Sequence, residues 1–477
     1  MKQAGSLSTQ KLSILVPVYN ESRTLRPLLE KVLSVPLPME REVVVVDDGS
    51  SDGSRDIIAA MAREHDVIKP VYHDRNQGKG GAVRTAIQHA TGDWMIIQDA
   101  DLEYDPYDYV ALLEPVKDGV ADAVFGSRFL VGRYSRAMYF WHMVANKALT
   151  LLTNILNDLN LTDMETCYKL VRADIMRQLL LRSAGFDLEP ELATKLARWG
   201  ARIYEVPVSY RGRTYPEGKR ITWRDGVKAL WALFRYRFEI RYCKHEGFLV
   251  LQAMQRARRF NRWLLAQFAH YLGEEILEAG AGIGNLTELL LDRRRLCCVE
   301  DDLFYVERLE HAYGHLQNVR ICQGNLTNPK DMERATQDGA FDSVLCVNVM
   351  EHIEDELLLL HGFLRALKPG GCVVILVPNN PALYCEIDKT LGHFRRYTET
   401  ALGNRLRDAG FDVVRIRGFN RVGGFGWRVS GKVLRKDTLE PGQMRLFELL
   451  MPLVRILEHL PFHSHNSIIA IGRKPAE

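Results

Sequence analysis

The sequence predicts an α/β protein made of two successive units, each built around a largely parallel sheet. Three observations carry this. The 477 residues exceed one ordinary domain and, at about 150 residues per domain, point to two to four. Strand-like and helix-like segments alternate in two separate series, the pattern of parallel sheets covered by helices. A largely helical stretch, about Asp225 to Leu272, lies between the series, and the two do not resemble each other as repeats.

The first series opens with the apolar run Leu12–Val18, read as a strand. A helix is expected over Glu21–Leu33, a strand over Glu42–Asp47, a helix over Ser54–Glu64 and a strand over Asp93–Gln98. The second series begins at Glu275–Glu278 and runs through Leu286–Leu291, Leu296–Glu300, Phe341–Val347 and Cys372–Val377. The boundary is placed near Arg241–Gly247. The expected organisation is a polar tail (1–10), a first domain (11–240), a helical linker (241–259) and a second domain (260–477).

Composition narrows the class. Apolar residues make up 47% and charged residues 26%, which excludes a disordered chain. Net charge is only +3, but Arg202 to Lys244 holds eleven Lys or Arg against four acids. This basic belt suits phosphate groups, anionic lipid or nucleic acid, or is simply a solvated helix face. The eight cysteines include no C-x-x-C pair, and four sit in apolar, strand-like runs, as expected of reduced cysteines in a cytoplasmic protein. Met1–Gln10 lacks an apolar core, so no signal peptide is expected, and no run of about 18 uncharged apolar residues predicts a membrane span. Met138–Leu156 and Leu446–Leu460 are amphipathic and are expected to be core helices rather than membrane-surface ones.

Val43–Ser54 reads VVVVDDGSSDGS: a buried strand with two Asp at its carboxyl end, where ligands bind in open α/β sheets. Val16–Glu21 (VPVYNE) is another strand running into a loop. Asp48 is placed to accept hydrogen bonds from a nucleobase or ribose, although turns use such residues anyway. Trp94–Asp105 (WMIIQDADLEYD) sets Asp99, Asp101 and Glu103 at alternate positions. Hard carboxylate oxygens so spaced suit Mg²⁺ or Mn²⁺, which a diphosphate leaving group requires for charge neutralisation. An acidic, solvated loop is the plain alternative.

These motifs, with Asn76–Gly81 (NQGKGG) between them, resemble in order and spacing the family 2 glycosyltransferases of the GT-A fold, over roughly Lys11 to Phe238. Gly126–Arg128, Asp163 with Cys167–Lys169, and the basic segment Tyr210–Arg224 extend the likeness to the branch of dolichyl-phosphate mannose synthase and bacterial polyprenyl-phosphate glycosyltransferases. The resemblance implies that Pro17, Tyr19, Glu21 and Asp48 hold the nucleoside. Asp99, Asp101 and Glu103 hold metal and diphosphate; Arg128 contacts a phosphate; Lys79 lies on the nucleotide or sugar side. Transfer would invert the anomeric centre. An alcohol acceptor needs a general base, for which Asp163 is the candidate. A lipid phosphate, with a second pKa of about 6, needs cations instead. Arg128, Arg136, Arg211, Arg213, Lys219 and Arg220 are the candidates.

Ile276–Thr287 (ILEAGAGIGNLT) carries Gly280, Gly282 and Gly284, which permit sharp turns and close ligand approach, preceded by Glu278. Leu296–Asp302 (LCCVEDD) ends a strand in acids, and Glu300 can take both hydroxyls of a ribose. With Gly324-Asn325, Phe341-Asp342, NVMEHI at Asn348–Ile353, LKPGG at Leu367–Gly371 and HFRRYT at His393–Thr398, these features resemble class I S-adenosylmethionine (SAM) methyltransferases, of Rossmann-like fold, over about Phe260 to Lys474. The likeness implies that Glu278 and the three glycines line the methionine end, that Glu300 holds the ribose, and that Asp301 and Asn325 lie near the adenosine. Asn325 stands where the family usually has Asp. For a hydroxyl acceptor, His352 or His393 would remove the proton.

The expected protein is therefore a bifunctional transferase of surface glycan or glycolipid synthesis, cytoplasmic, with peripheral contact at the inner face of the membrane. One active enzyme with the other unit kept for ligand binding or scaffolding is the alternative. No recognisable RNA-binding module accompanies the basic belt, so nucleic acid is not an expected partner.

Overall fold

The computed structural model describes residues 7–130, 139–213, 223–239, 241–428, 447–458 and 465–476. The chain divides into two compact units, Lys2–Lys244 and His245–Glu477.

The N-terminal unit holds a seven-stranded sheet: β1 (Lys11–Val18), β2 (Glu40–Asp47), β3 (Ile68–Tyr72), β4 (Trp94–Ile97), β5 (Ala123–Ser127), β6 (Lys169–Arg172) and β7 (Ile203–Pro207), in spatial order β3-β2-β1-β4-β6-β5-β7. Strands β1 to β4 run parallel, with Leu15 opposite Val44 on one side and Ile97 on the other. Only β6 is antiparallel to its neighbours. Val43–Val46 are wholly buried because helices cover both faces, which is why this run is continuously apolar rather than alternating. Parallel pairing brings the carboxyl ends of β1, β2 and β4 to one edge, and with them VPVYNE, DDGS and DAD. Helices α1 (Leu25–Ser34), α2 (Ser54–Glu64), α3 (Lys79–His89), α4 (Tyr109–Lys117), α5 (Phe140–Asn157), α6 (Ala173–Gln178), α7 (Leu188–Trp199) and α8 (Trp223–Phe238) complete the unit.

Two expectations are corrected here. The first helix starts at Leu25 rather than Glu21, because Glu21 to Thr24 form a turn in which the Glu21 carboxylate accepts the Thr24 hydroxyl. Helix α5 is not a core helix: its buried residues are Asn146, Thr150 and Thr153, whereas Phe140, Trp141, Leu151 and Ile155 are exposed. The polar side faces inward because Asn146 reaches the buried Asp163 and the Thr150 hydroxyl accepts the Met164 N–H.

The C-terminal unit has a second seven-stranded sheet: β8 (Glu275–Ala279), β9 (Arg295–Glu300), β10 (Val319–Gln323), β11 (Phe341–Val347), β12 (Leu367–Pro378), β13 (Asp412–Phe419) and β14 (Ser467–Arg473), in order β10-β9-β8-β11-β12-β14-β13. Strands β8 to β12 are parallel, and β14 runs antiparallel between β12 and β13. Leu286–Leu291 contributes only the 3-10 turn Thr287–Leu289. The stretch expected as linker carries α9 (Glu246–Gln255) and α10 (Arg258–Ala266), and Phe248 and Phe260 of these helices are buried. None of the eight cysteines, all of them among the described residues, is in a disulfide, and seven are buried. Among the described residues, no helix is long and apolar enough to cross a membrane.

Candidate functional site

The N-terminal constellation gathers where β1, β2 and β4 end. Asp99 and Asp101 follow β4, and Lys79, the first residue of α3, lies 2.7 Å from an Asp99 oxygen and 3.0 Å from Glu189. The chain turns at Leu102 with φ 60°, a left-handed conformation that strains a residue with a side chain. That turn sets Glu103 against Tyr210 and Arg213: its oxygens accept the Tyr210 hydroxyl at 2.7 Å and the Arg213 N–H at 2.9 Å. Glu103 braces the turn in this way, and among the described residues the three acids do not close into one ligand cluster. Asp101 differs: burial and the charges of Asp99 and Glu103 push its carboxyl up to about 7. A cation shared by Asp99 and Asp101 would relieve that repulsion, so these two residues fit a divalent ion.

Other expected roles also shift. Pro17 is half-buried and Tyr19 exposed at the site edge. Glu21 forms an ion pair with Arg213, 3.0 Å apart. Arg213 also donates to the Asp101 carbonyl, so it ties the site together. Asp48 is buried and takes the N–H groups of Gln77 and Gly78, each at 2.8 Å, and His73 Nδ1 at 2.7 Å. It positions the 76–81 loop; its neighbour Asp47 faces Arg55 at 3.3 Å. Arg128 is locked to Asp163 by a bidentate pair, Nε to Oδ2 at 2.6 Å and Nη2 to Oδ1 at 2.7 Å, and stacks 5.1 Å over Tyr210. The guanidinium beside Asp163 holds its carboxyl below the usual carboxylate range against the opposing effect of burial. Asp163 is thus a counter-ion that positions Arg128, and it lacks the raised affinity for protons a general base needs. Arg211 is exposed, its backbone N–H donating to the Glu103 carbonyl. Arg136, Lys219 and Arg220 lie outside the described residues.

Sequence reasoning passed over Glu165. Its Oε1 is buried with no hydrogen-bond partner among the described residues, and burial beside Glu189 pushes its carboxyl up to about 7. It sits two residues beyond Asp163, inside a motif already singled out, yet only tertiary packing sets its environment.

In the C-terminal unit a cavity of about 1240 Å³ opens at the carboxyl edge of the sheet. Gly280, Gly282 and Gly284 follow β8 with φ of 71°, 56° and 86°. A Cβ on Gly280 would fall 2.3 Å from Val349 Cγ2, and one on Gly284 2.6 Å from Tyr313 Cε2. The glycines are therefore demanded by both dihedral and space. Glu300, at the end of β9, accepts the Gly282 N–H at 2.8 Å and so joins strand end to loop. Burial, and more weakly Asp301, raise its carboxyl to about 7. Glu278 accepts the Thr287 hydroxyl at 2.7 Å and is likewise raised to about 7 by burial. Asp301 lines the same wall. Asn325 also borders the cavity, but its side-chain oxygen accepts the Thr327 N–H (2.9 Å) and hydroxyl (2.7 Å). A local turn thus engages this oxygen on the cavity wall.

His352 and His393 do meet, with ring centroids 4.8 Å apart and planes at 83°. His393 Nδ1 is 2.9 Å from the buried Asp388, which also accepts Arg396 Nε at 2.8 Å. Desolvation and the facing His393 lower the His352 imidazole to about 4, so it is neutral at physiological pH. Sequence analysis overlooked Glu351 and Asp388, although Glu351 precedes His352 directly.

Each unit is thus an open α/β sheet with acid-bearing strand ends, and the C-terminal one adds a glycine loop at the same edge. Residues 13–180 match Glycosyl transferase family 2, and residues 252–416 match a methyltransferase domain. The chain belongs to glycosyl transferase family 2 through its N-terminal unit and carries a methyltransferase domain in its C-terminal one. It is 33% identical over 217 residues to the undecaprenyl-phosphate mannosyltransferase of Micrococcus luteus, covering 43% of this chain and 85% of that one. To the dolichol-phosphate mannosyltransferase of Pyrococcus furiosus it is 25% identical over 238 residues, 48% of this chain and 65% of that one. Among solved structures, glucosyl-3-phosphoglycerate synthase from Mycobacterium tuberculosis, in complex with Mn²⁺, UDP and glucosyl-3-phosphoglycerate, aligns at 19% identity with a TM-score of 0.39, over 48% of this chain and 80% of that one. A SAM-dependent methyltransferase from Archaeoglobus fulgidus aligns at 18% identity with a TM-score of 0.32, over 46% and 94%.

Proposed function

We propose that the chain is a bifunctional enzyme of surface glycan or glycolipid synthesis. Its N-terminal unit moves a hexosyl group from a nucleotide-sugar to a polyprenyl phosphate, with inversion, and its C-terminal unit methylates an acceptor with SAM. The observation that carries the first half is the facing of Lys79, Asp99 and Asp101 at the carboxyl edge of the sheet. Asp99 and Asp101 would hold Mg²⁺ or Mn²⁺, which neutralises the departing diphosphate. Lys79, held by Asp99 and Glu189, adds fixed positive charge on the same side. Asp163 fixes the Arg128 guanidinium over Tyr210, and Arg128 would face the acceptor phosphate.

Relatives that act on undecaprenyl phosphate and dolichol phosphate support a lipid-phosphate acceptor. So does the apolar outer side of α5 and α8, where Trp141 is 77% and Phe238 73% exposed beside Phe140, Ile155 and Trp231. Large exposed aromatics suit a peripheral, membrane-surface site rather than a solvated face. An alcohol acceptor is the second reading, and it is favoured by Glu165, whose raised carboxyl suits a base.

The C-terminal reading rests on the glycine loop closed against Glu300. The loop backbone would admit the methionine end of SAM, and Glu300 would take the ribose hydroxyls. The experiment is a thermal-shift panel of nucleotides, with and without Mn²⁺, and of SAM on the same protein, followed by sugar transfer to polyprenyl phosphate in vesicles. A Mn²⁺-dependent nucleotide shift and a separate SAM shift are expected. No shift with any nucleotide refutes the first half, and no shift with SAM refutes the second. Trp141→Ser with Trp231→Ser should lower vesicle binding while leaving nucleotide binding intact.

A further inference from the structure

The wall of the C-terminal cavity carries a set of side chains that the glycine loop does not use. Glu351 and His352 lie in the 3-10 turn after β11, and His393 arrives from the segment after the short helix Glu386–Thr390. One ligand-type atom from each of the three lies within 4.8 Å of the others. Glu351 is completely buried, lines the cavity, and neither of its carboxylate oxygens has a hydrogen-bond partner among the described residues. A charged carboxylate held this way is unfavourable unless a proton or a cation compensates it. His393 is braced from behind: Asp388 engages its Nδ1 and is itself fixed by Arg396 and by the Cys385 N–H at 3.0 Å. That leaves Nε2 as the ring's remaining nitrogen. A carboxylate behind an imidazole is the support that metal-ligating histidines carry.

We propose that Glu351, His352 and His393 form a site for one borderline divalent cation, with Zn²⁺ as the best fit. Two imidazoles and a carboxylate are a three-ligand set that leaves one position open, and nitrogen donors disfavour Mg²⁺ and Ca²⁺. Ligand atoms about 2.1 Å from a tetrahedral ion lie roughly 3.4 Å apart, so loading draws the side chains in by up to about 1.5 Å. Rotation of the His352 and Glu351 side chains supplies this, while His393 stays fixed by Asp388.

The site also names the acceptor class, and this part rests on the methyl-transfer reading of the cavity. The open position suits a hydroxyl oxygen. Its proton leaves to solvent, the new O–CH₃ bond forms as the S–CH₃ bond breaks, and the electron pair returns to sulfur.

The test is titration of chelator-stripped full-length protein with Co²⁺, followed by Zn²⁺ competition, with SAM thermal shifts run in parallel. One equivalent of Co²⁺ should produce the strong visible bands of a four-coordinate, nitrogen-containing site, whereas an all-oxygen octahedral site absorbs weakly. Zn²⁺ should abolish the bands. Glu351→Gln and His393→Gln should weaken binding at least tenfold, and Asp388→Asn about 10- to 100-fold through the lost brace. Absence of the bands in the wild-type protein overturns the proposal, as does His393→Gln binding within threefold of wild type. SAM binding without metal binding sinks the cation site alone; metal binding without SAM binding sinks the methyl-transfer reading alone.

Discussion

Gly280→Ala tests the glycine loop directly. At Gly280 φ is 71°, a left-handed conformation that costs a Cβ-bearing residue about 1–2 kcal/mol. The added Cβ would also lie 2.3 Å from Val349 Cγ2, so the turn after β11 must move or the loop must open. Forcing one methyl into packed surroundings costs about 1–3 kcal/mol. The two together give about 2–5 kcal/mol. If the loop opens, the loss falls on SAM affinity; at 1.4 kcal/mol per tenfold, that is weakening of about 30- to 3000-fold. If the loop stays closed, the loss falls on stability instead. Calorimetric titration with SAM and denaturant unfolding of the same variant measure the two shares. Adding Val349→Ala removes the clash but not the dihedral strain, so the double variant should recover about 1–3 kcal/mol. Gly280→Ala binding SAM within threefold of wild type, with unchanged stability, would refute the reasoning.

Three further outcomes are expected. Asp163→Asn leaves Arg128 without its counter-ion and should destabilise the N-terminal unit by about 3–5 kcal/mol in denaturant unfolding, with loss of sugar transfer; Arg128→Met with Asp163→Leu should fold better than the single variant. Lys79→Met strips the cation from Asp99 and Glu189 and should raise the nucleotide-sugar KM at least tenfold in a steady-state assay, with Mn²⁺ dependence retained. Glu278 has its folded carboxyl raised to about 7, so the native state keeps its proton longer than the unfolded chain. SAM-free stability of the C-terminal unit should therefore be full below the ordinary carboxyl range and fall as pH rises towards 7. The fall is about 3 kcal/mol. Glu278→Gln, which still accepts the Thr287 hydroxyl, should remove the Glu278 share of that slope between pH 5 and 8 in pH-dependent unfolding, leaving the share from Glu300.

The legible part of both sites was the part that the backbone imposes. A β-branched run ending in Asp-Asp-Gly, or an apolar strand followed by glycines at alternate positions, can be read from order and spacing because strand ends and positive-φ turns admit few residue types. Asp99, Asp101, Glu300 and the three glycines stand at the strand ends expected of them. The direction in which a side chain is engaged is a different matter. Glu103, Glu21 and Asp48 carry the expected residue types at the expected places, yet each faces a partner from a distant segment: Tyr210 and Arg213, Arg213 again, and the 76–81 loop. Helix α5 shows the same limit, since its amphipathic pattern did not say which side is inward.

By itself the sequence determined two open α/β units, their order along the chain, and the strand ends where each collects its acids and glycines. Local sterics and the alternation of apolar runs suffice for that, because they act over a few residues. Tertiary structure alone decided which of those acids stay available and which act as braces. It paired Asp163 with Arg128, left Glu165 and Glu351 buried without a hydrogen-bond partner among the described residues at Oε1 of the first and at both oxygens of the second, and set His352 against His393. Charge state and ligand geometry follow from burial and from neighbours tens to hundreds of residues away, and no local pattern encodes those distances.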